Sequence, residues 1–228
     1  MKQYLDLYKN ELLNNVIPFW EKNSPDNAYG GFFTCLNRQG EVYDTDKYVW
    51  LQARQVWMFA IMYDQVEAKK EWLNLAKQGA EFLIMHGRDD NGAFYFSLDQ
   101  KGSPLIQPYN IFSDCFAAMA FAALNKVEPN ESYASLAVNT FENILRRRDN
   151  PKGIYNKTFP GTRDLKSFAL PMILSNLTLE MESLLDREKV EELVPSVIHE
   201  VMEVFYQKES GLILENVNLD GSFSNSHE

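Results

Sequence analysis

The chain has 228 residues, of which 45% are hydrophobic and 13% aromatic, a composition that supports a packed core and excludes a disordered or fibrous protein. Its 22 Lys and Arg against 32 Asp and Glu give a net charge of -10, which argues against a nucleic-acid partner because phosphate backbones select basic surfaces. We find no membrane-spanning stretch and no signal-peptide core, and with Cys35 and Cys115 as the two cysteines we expect free thiols and a cytoplasmic protein.

The first predicted element is a helix, because apolar residues recur along one face of the N-terminal segment at helical spacing: Tyr4, Leu5, Tyr8, Leu12, Val16 and Phe19. Six more segments have the same spacing, at residues 50–63, 72–83, 112–124, 133–145, 170–185 and 190–205. The sequence therefore predicts about seven helices.

Glycine pairs separate these helices at a regular interval. The pairs are Gly31 with Gly40, Gly92 with Gly102, Gly153 with Gly161, and Gly211 with Gly221, and each frames a short β-branched or aromatic run. The first glycines are 61, 61 and 58 residues apart. Since glycine favours tight turns, we interpret these units as four β-hairpins, and we expect the only strands to lie in them.

Two helices and a hairpin repeated about every 60 residues indicate an all-α toroid with paired inner and outer helices and its hairpins on one face. The inner helices should be the more apolar, as residues 112–124 and 169–179 are. Four hairpins do not close such a ring. We therefore expect residues 1–228 to form one toroid domain that is truncated at its C-terminal end or covered by a partner.

The densest group of candidate functional residues follows the first hairpin. Trp50 and Arg54 are four residues apart and Trp57 is three further on, so all three share a helix face. Arg54 is either a stacked, salt-bridged structural arginine or a pocket arginine that donates to a sugar oxygen beside a tryptophan platform. Both interpretations stay open at this stage.

Other chemistries have weaker support. The histidines His86, His199 and His227 lack metal-ligand spacing, and no nucleophile or phosphate-binding motif occurs, so we predict no metal site. Acid pairs for glycoside hydrolysis remain an alternative, with these candidates: Asp44, Asp46, Asp89, Asp90, Asp114 and Glu215. Asp114 lies in an apolar helix and needs a partner or a raised pKa.

An ordered set of segments resembles the N-acylglucosamine 2-epimerase family from about residue 2 to the last residue. The segments are residues 29–33 (YGGFF), Gly40, residues 46–57 (DKYVWLQARQVW), residues 112–120 (FSDCFAAMA) and residues 170–174 (LPMIL). The resemblance implies an (α/α)6 barrel of the six-hairpin glycosidase-like type. It is nearer to the N-acetylglucosamine branch than to cellobiose 2-epimerases, which carry histidines where this chain has Met172 and Ile173.

The resemblance also implies a role in carbohydrate metabolism, the epimerisation at C2 of a reducing sugar through an enediolate. Arg54 matches the family arginine that suits the enediolate, and Trp50 matches a pocket tryptophan. Tyr109, Asn110 and Met172 are further expected substrate-binding residues near the starts of inner helices. A small-molecule sugar is the expected partner and no cofactor is required, while activation by a nucleotide such as ATP and a homodimer are left open.

The family's two proton-transfer histidines come from an Asn-Pro-Gly-His-type motif and from a helix near the C-terminus, and neither motif occurs in these residues. Residues 227–228 resemble the stretch just before the first motif. We therefore expect the chain alone to be inactive. The alternatives are a non-catalytic carbohydrate- or protein-binding helical module and a glycoside hydrolase of the (α/α)6 type.

Overall fold

Seven helical rods follow one another in the computed structural model, which describes residues 2–153, 159, 161–162 and 164–224. The N-terminal helix comprises α1 (Lys2–Glu11), a π-helical turn (Leu12–Val16) and α2 (Ile17–Asn23). The other six are α3 (Val49–Gln65), α4 (Lys70–His86), α5 (Phe112–Val127), α6 (Glu131–Arg146), α7 (Ala169–Glu180) and α8 (Arg187–Glu200), the last extended by a π-helical turn (Val201–Phe205). The seven predicted helices are confirmed. In the described ranges, no helix has the length and apolar character to cross a bilayer.

The helices after the first alternate between two layers. The inner helices α3, α5 and α7 pack side by side, and each also packs against the outer helix that follows it, α4, α6 or α8. Residues 113–115 and 117–124 of α5 are all buried, whereas α8 buries only Val197 among its described side chains. The expectation that inner helices are the more apolar is therefore confirmed.

Short antiparallel strands gather where the inner helices begin. They are β1 (Cys35–Leu36) with β2 (Val42–Asp44); β3 (Lys47–Tyr48), β4 (Ser97–Leu98) and β5 (Pro104–Ile106) in one sheet; β6 (Leu165–Ser167) with β9 (Asn216–Asn218); and β7 (Tyr206–Gln207) with β8 (Leu212–Ile213). The first two hairpins are confirmed, but the expectation that the only strands lie in the four predicted hairpins is wrong, because β3, β6 and β7 lie outside them. Two of the pairings, β3 with β4 and β6 with β9, join strands of successive repeats.

Of the predicted hairpin between Gly211 and Gly221, the turn that ends at Gly221 is present, because the N–H of Gly221 donates to the carbonyl of Asn218 at 2.9 Å, but the strand pairing is wrong. The N–H of Gly211 donates to the carbonyl of Gln207, which closes a turn between β7 and β8. As a result, β8 pairs with β7, the strand that precedes it. The next strand, β9, is then free to pair with β6. The predicted hairpin between Gly153 and Gly161 falls largely on residues 154–158 and 160, which lie outside the described residues.

The first hairpin is held against α3 by the side-chain amide of Gln52. Its Oε1 accepts from the N–H of Phe32 at 2.8 Å, and its Nε2 donates to the carbonyl of Phe32 at 2.7 Å. Gly31 makes this approach possible, because a Cβ there would lie 2.7 Å from Gln52 Oε1 and its φ is +66°. The hairpin therefore has a fixed position over the helix that carries Arg54.

Candidate active site

Arg54 lies over two aromatic rings supplied by neighbouring inner helices. Its guanidinium carbon is 5.7 Å from the ring centroid of Trp50, one turn earlier on α3, and 5.0 Å from that of Phe116 on α5. The two ring centroids are themselves 6.2 Å apart. Such cation–π contacts contribute about 0.5–2 kcal/mol each and orient a guanidinium without using its N–H groups.

Trp57 does not form the second ring beside Arg54, although the sequence spacing placed Trp50, Arg54 and Trp57 on one helix face. Its indole Nε1 instead donates to Glu180 Oε2 at 3.1 Å, at the end of α7. Phe116 takes that place because α3 packs against α5 along this face. The spacing within one helix could not reveal a ring that comes from the next inner helix.

The charge of Arg54 is unpaired. Its side chain is exposed, and across the part of the chain that the structure describes no carboxylate lies within 4.0 Å of it. The salt-bridged interpretation is therefore wrong, although the stacking is present. Since α4 and α5 pack against α3, Arg54 lies on a part of α3 that neither of these helices covers.

The other predicted binding residues lie at the starts of inner helices, the same end as Trp50. Tyr109 packs edge-on against Phe96, with ring centroids 5.2 Å apart. Asn110 Oδ1 accepts from the N–H of Phe112 at 3.0 Å and so helps to begin α5. Met172 lies in the first turn of α7 and is 52% exposed. Of the four predicted binding residues, Trp50 alone has a ring contact with Arg54 here.

A buried ion pair that the sequence reasoning missed fixes the start of α3. Lys47 on β3 is fully buried, and its Nζ donates to Asp26 Oδ2 at 2.9 Å, to the carbonyl of Gly30 at 2.6 Å and to that of Gln100 at 2.8 Å. The Nζ also lies 4.4 Å from the ring centroid of Phe82. One lysine thus joins the first and second hairpin regions and α4, three residues before Trp50.

Burial and hydrogen bonding act in opposite directions on this pair. Burial lowers the pKa of Lys47, and the carboxylate of Asp26 opposes that shift. Burial acts to raise the pKa of Asp26, but hydrogen bonds from Lys47, Gln100 and two backbone N–H groups outweigh it and lower the pKa. Each partner therefore depends on the other to stay charged inside the protein. The only signal in the sequence was the position of Lys47 inside the family-like segment 46–57.

Asp114, a candidate acid, faces the outer layer and has partners there. Its Oδ2 accepts from Arg147 at 3.2 Å, just after α6, and its Oδ1 accepts from the N–H of Phe94 at 3.2 Å. Burial raises the pKa of Asp114 to about 6, although Arg147 acts to lower it. The sequence-based expectation that this carboxyl needs a partner or a raised pKa is confirmed on both counts.

This raised pKa predicts a pH-dependent effect of Asp114→Asn on stability. Because the folded-state pKa exceeds the unfolded one, ionisation of Asp114 disfavours the folded state, and stability is lost as the pH rises from about 4 to about 6. As the pH rises from 4 to 7.5, we expect the free energy of unfolding of the variant to increase by about 2 kcal/mol relative to that of the parent. Urea denaturation of both proteins at the two pH values measures it. An equal difference at both would contradict the assignment.

The loop acids serve as turn formers. Asp44 Oδ1 accepts from the N–H of Asp46 at 2.9 Å, and Asp89 Oδ1 accepts from the N–H groups of Asn91 and Ala93, both at 2.9 Å. The side chains of Asp90 and Glu215 are exposed. Burial and the nearby carboxylates of Asp44 and Asp99 raise the pKa of Asp46.

The described histidines belong to the outer layer. His86 ends α4 with its ring 5.0 Å from that of Phe82, and His199 is exposed on α8. His227 lies outside the described residues. No described histidine therefore stands beside Arg54 on an inner helix.

Known proteins that are similar in sequence identify the family of this chain. A family model described as N-acylglucosamine 2-epimerase (GlcNAc 2-epimerase) matches residues 31–225. N-acylglucosamine 2-epimerase of Rattus norvegicus is 38% identical over 218 residues, which are 92% of this chain and 51% of the relative. Cellobiose 2-epimerase of Bacteroides fragilis is 27% identical over 59% of this chain and 34% of that relative. The chain thus spans about half the length of its N-acylglucosamine 2-epimerase relatives.

Solved structures agree on the fold. A cellobiose 2-epimerase from Bacillus thermoamylovorans superposes with a TM-score of 0.85 at 18% identity, over 98% of this chain and 62% of that one. A D-mannose isomerase gives a TM-score of 0.78 at 14% identity, over 100% and 58% of the two chains. These similarities place the helices in an arc of the (α/α)6 architecture. Together with the family model and the rat relative, they show that the chain belongs to the N-acylglucosamine 2-epimerase family.

Proposed function

We propose that this chain is the substrate-binding arc of a sugar 2-epimerase that inverts C2 of a reducing sugar, as between N-acetylglucosamine and N-acetylmannosamine. The observation that carries the proposal is the exposed guanidinium of Arg54, held over Trp50 and Phe116 without a carboxylate partner among the described residues. A structural arginine would use its N–H groups within the protein, whereas this one offers them to a ligand.

Epimerisation at C2 requires a cation or a hydrogen-bond donor such as the guanidinium of Arg54. After the ring opens to the aldehyde, removal of the weakly acidic C2 proton moves negative charge onto O1, and the resulting enediolate needs a donor or cation there. The guanidinium of an arginine carries a positive charge, and its planar fork can donate two parallel hydrogen bonds. Trp50 and Phe116 hold the guanidinium and leave an apolar ring surface for the non-polar face of a sugar.

The N-acylglucosamine branch is the better supported substrate class. Rat, mouse, bovine and human N-acylglucosamine 2-epimerases are 35–40% identical to this chain, and cellobiose 2-epimerases of three bacterial genera are 27–29% identical. Met172, in the first turn of α7, gives this chain an apolar side chain where the cellobiose branch was expected to have a histidine. We propose that it contacts the N-acyl group.

Proton transfer requires groups that the described arc does not bring to Arg54, because His86 and His199 lie on outer helices. We therefore propose that the 228-residue chain binds the sugar without epimerising it. We also propose a cytoplasmic location, a role in carbohydrate metabolism and no required cofactor. Activation by a nucleotide such as ATP and a homodimer stay predictions.

Deuterium exchange at C2 tests this function. The 228-residue chain, and a chimaera that joins it to the part of rat N-acylglucosamine 2-epimerase outside the matched half, are incubated with N-acetylglucosamine in deuterated water. We expect incorporation at C2 with the chimaera and none above background with the chain alone. Circular dichroism of both proteins confirms that they are folded before the rates are compared.

The two alternative functions, a carbohydrate-binding module and a glycoside hydrolase, predict different results. A folded chimaera that binds the sugar without exchange at C2 would support the carbohydrate-binding module and contradict the epimerase. Release of new reducing ends from oligosaccharides would support the glycoside hydrolase. That activity should depend on a carboxylate and survive replacement of Arg54.

A further inference from the structure

A polar cavity lies in the outer layer, between the turn at residues 88–92 and the C-terminal part of α6. Its volume is about 250 Å³, and among the described residues that line it none belongs to the candidate active site. Pockets that enclose a drug-sized ligand are larger, about 300–1,000 Å³. The cavity therefore suits a small ligand rather than a nucleotide.

Two arginines that line this cavity have no carboxylate partner. Arg88 and Arg146 are exposed, and in the described part of the chain no Asp or Glu oxygen lies within 4.0 Å of either guanidinium. The next two arginines along the chain, Arg147 and Arg148, each form an ion pair with a carboxylate. In a chain with a net charge of -10, two unpaired cations at one cavity are available to bind an anion.

The contacts that hold these two guanidinium groups use few of their N–H donors. The guanidinium carbon of Arg88 lies 6.0 Å from the ring centroid of Phe94, a cation–π contact that engages the charge and no N–H group. Nη2 of Arg146 donates to Asn143 Oδ1 at 3.5 Å, and a guanidinium has five N–H groups. Both side chains can therefore donate further hydrogen bonds to the oxygen atoms of a ligand.

The carboxylates around this cavity are already engaged. Glu142 lines the cavity and pairs with Lys189 of α8. Asp89, in the turn, does not line it, and its Oδ1 accepts from the N–H groups of Asn91 and Ala93, both at 2.9 Å. The charges of the two arginines are therefore not balanced by acids in the lining, which favours an anionic ligand.

Neutral polar groups complete the lining. Asn91 and Asn139 contribute exposed side-chain amides, and Asn143 lies between the cavity and Arg146 on the same helix. At Gly92 no described atom lies within 4 Å of the position that a Cβ would take, so the wall is open there. A guanidinium fork matches the oxygen atoms of a phosphate, and amides both donate to and accept from hydroxyl groups. The lining therefore combines groups suited to a phosphate with groups suited to a small polyol.

We propose that this cavity binds a phosphoryl group, either as free orthophosphate or as the phosphate ester of a small sugar. Arg88 donates to the phosphate oxygens from the turn, and Arg146 donates to them from α6. The amides of Asn91 and Asn139 bind the hydroxyl groups of an esterified sugar. The proposal rests on the cavity and its charges and not on the proposed epimerase function, so either can fail without the other.

Isothermal titration calorimetry of the 228-residue chain tests the proposal, with inorganic phosphate and glucose 6-phosphate as probes and glucose as the uncharged reference. We expect saturable binding of one phosphate per chain and no binding of glucose. Arg88→Met and Arg146→Met should each weaken phosphate binding at least tenfold, because each removes charge-assisted hydrogen bonds. Arg38→Met is the matched control. It removes the same charge from an exposed turn outside the cavity and should leave the affinity unchanged. Circular dichroism checks that all variants are folded.

The two phosphate probes distinguish the sources of the phosphoryl group. Binding of inorganic phosphate that equals or exceeds that of glucose 6-phosphate would support a site for free phosphate. Tighter binding of glucose 6-phosphate, which Asn139→Ala weakens without affecting inorganic phosphate, would support a site for a sugar phosphate.

Three results would overturn the proposal. The first is the absence of saturable binding of either phosphate probe. The second is an affinity that neither Arg88→Met nor Arg146→Met changes. The third is binding that Arg54→Met abolishes and Arg88→Met leaves intact, because the phosphate would then bind at the candidate active site.

Discussion

Lys47→Met is expected to lower the free energy of unfolding by about 3–5 kcal/mol, the largest effect on stability that we predict for a single residue. The substitution leaves the carboxylate of Asp26 buried without its cation and removes the donor to two carbonyls, those of Gly30 and Gln100. Methionine fills a similar volume, so the loss reports the missing charge and hydrogen bonds rather than a cavity. Urea denaturation followed by circular dichroism measures it.

A surface lysine provides the control for this measurement. Lys126 pairs with Asp64 at 2.7 Å but is 56% exposed, so Lys126→Met should cost less than about 1 kcal/mol. Adding Asp26→Asn to Lys47→Met should restore part of the stability, because no unpaired charge then remains inside. A cost of Lys47→Met as small as that of Lys126→Met would show that the ion pair is not essential to the fold.

Arg54→Met is expected to have the largest effect on catalysis, a decrease of about 10²–10³-fold in kcat/KM for C2 exchange by the chimaera. The side chain keeps its apolar contacts with Trp50 and Phe116 but loses the charge that faces the developing enediolate. If the charge acts on the transition state, the decrease should appear mainly in kcat and not in KM. Arg54→Lys should recover part of the rate, because it keeps the charge without the planar fork.

Arg187→Met is the matched control for Arg54→Met. Arg187 is 90% exposed on the outer helix α8 and, among the residues that the structure describes, pairs only with Glu191, one turn on. Its replacement should leave the exchange rate unchanged. Equal rates for the Arg54→Met chimaera and its parent would contradict the assignment of Arg54 to the enediolate, even if both still bind the sugar.

The helices could be predicted from the sequence because the residues that define each one lie within one or two turns of each other. The first two hairpins were predictable for the same reason, since the turns that end at Gly40 and Gly102 each contain their own hydrogen bonds. The pairing of β6 with β9 was not, because it joins Leu165 to Asn218 and no local pattern records such a partner. The same limit produced the incorrect hairpin at Gly211.

The candidate site shows the same limit: contacts within one helix could be predicted, and contacts between distant segments could not. Trp50 and Arg54 were predictable because four residues are one helical turn, whereas Phe116 enters from another helix. Lys47 was missed because a lone lysine in a sequence suggests an exposed side chain, and its three acceptors lie far apart in the sequence, at residues 26, 30 and 100. Asp114 could be predicted to need a partner, but not that Arg147 would provide it.

The strands that join successive repeats affect how the arc can open. In a repeat protein held together by helix packing alone, one unit can separate from the next by sliding apolar faces. Here the ladders β3–β4 and β6–β9 add directional backbone hydrogen bonds across the repeat boundaries, at the end where the inner helices begin. Fraying of one repeat must break bonds that belong to its neighbour, so this end should open as a cooperative unit. Any local opening that admits a ligand should therefore occur in the loops outside those ladders.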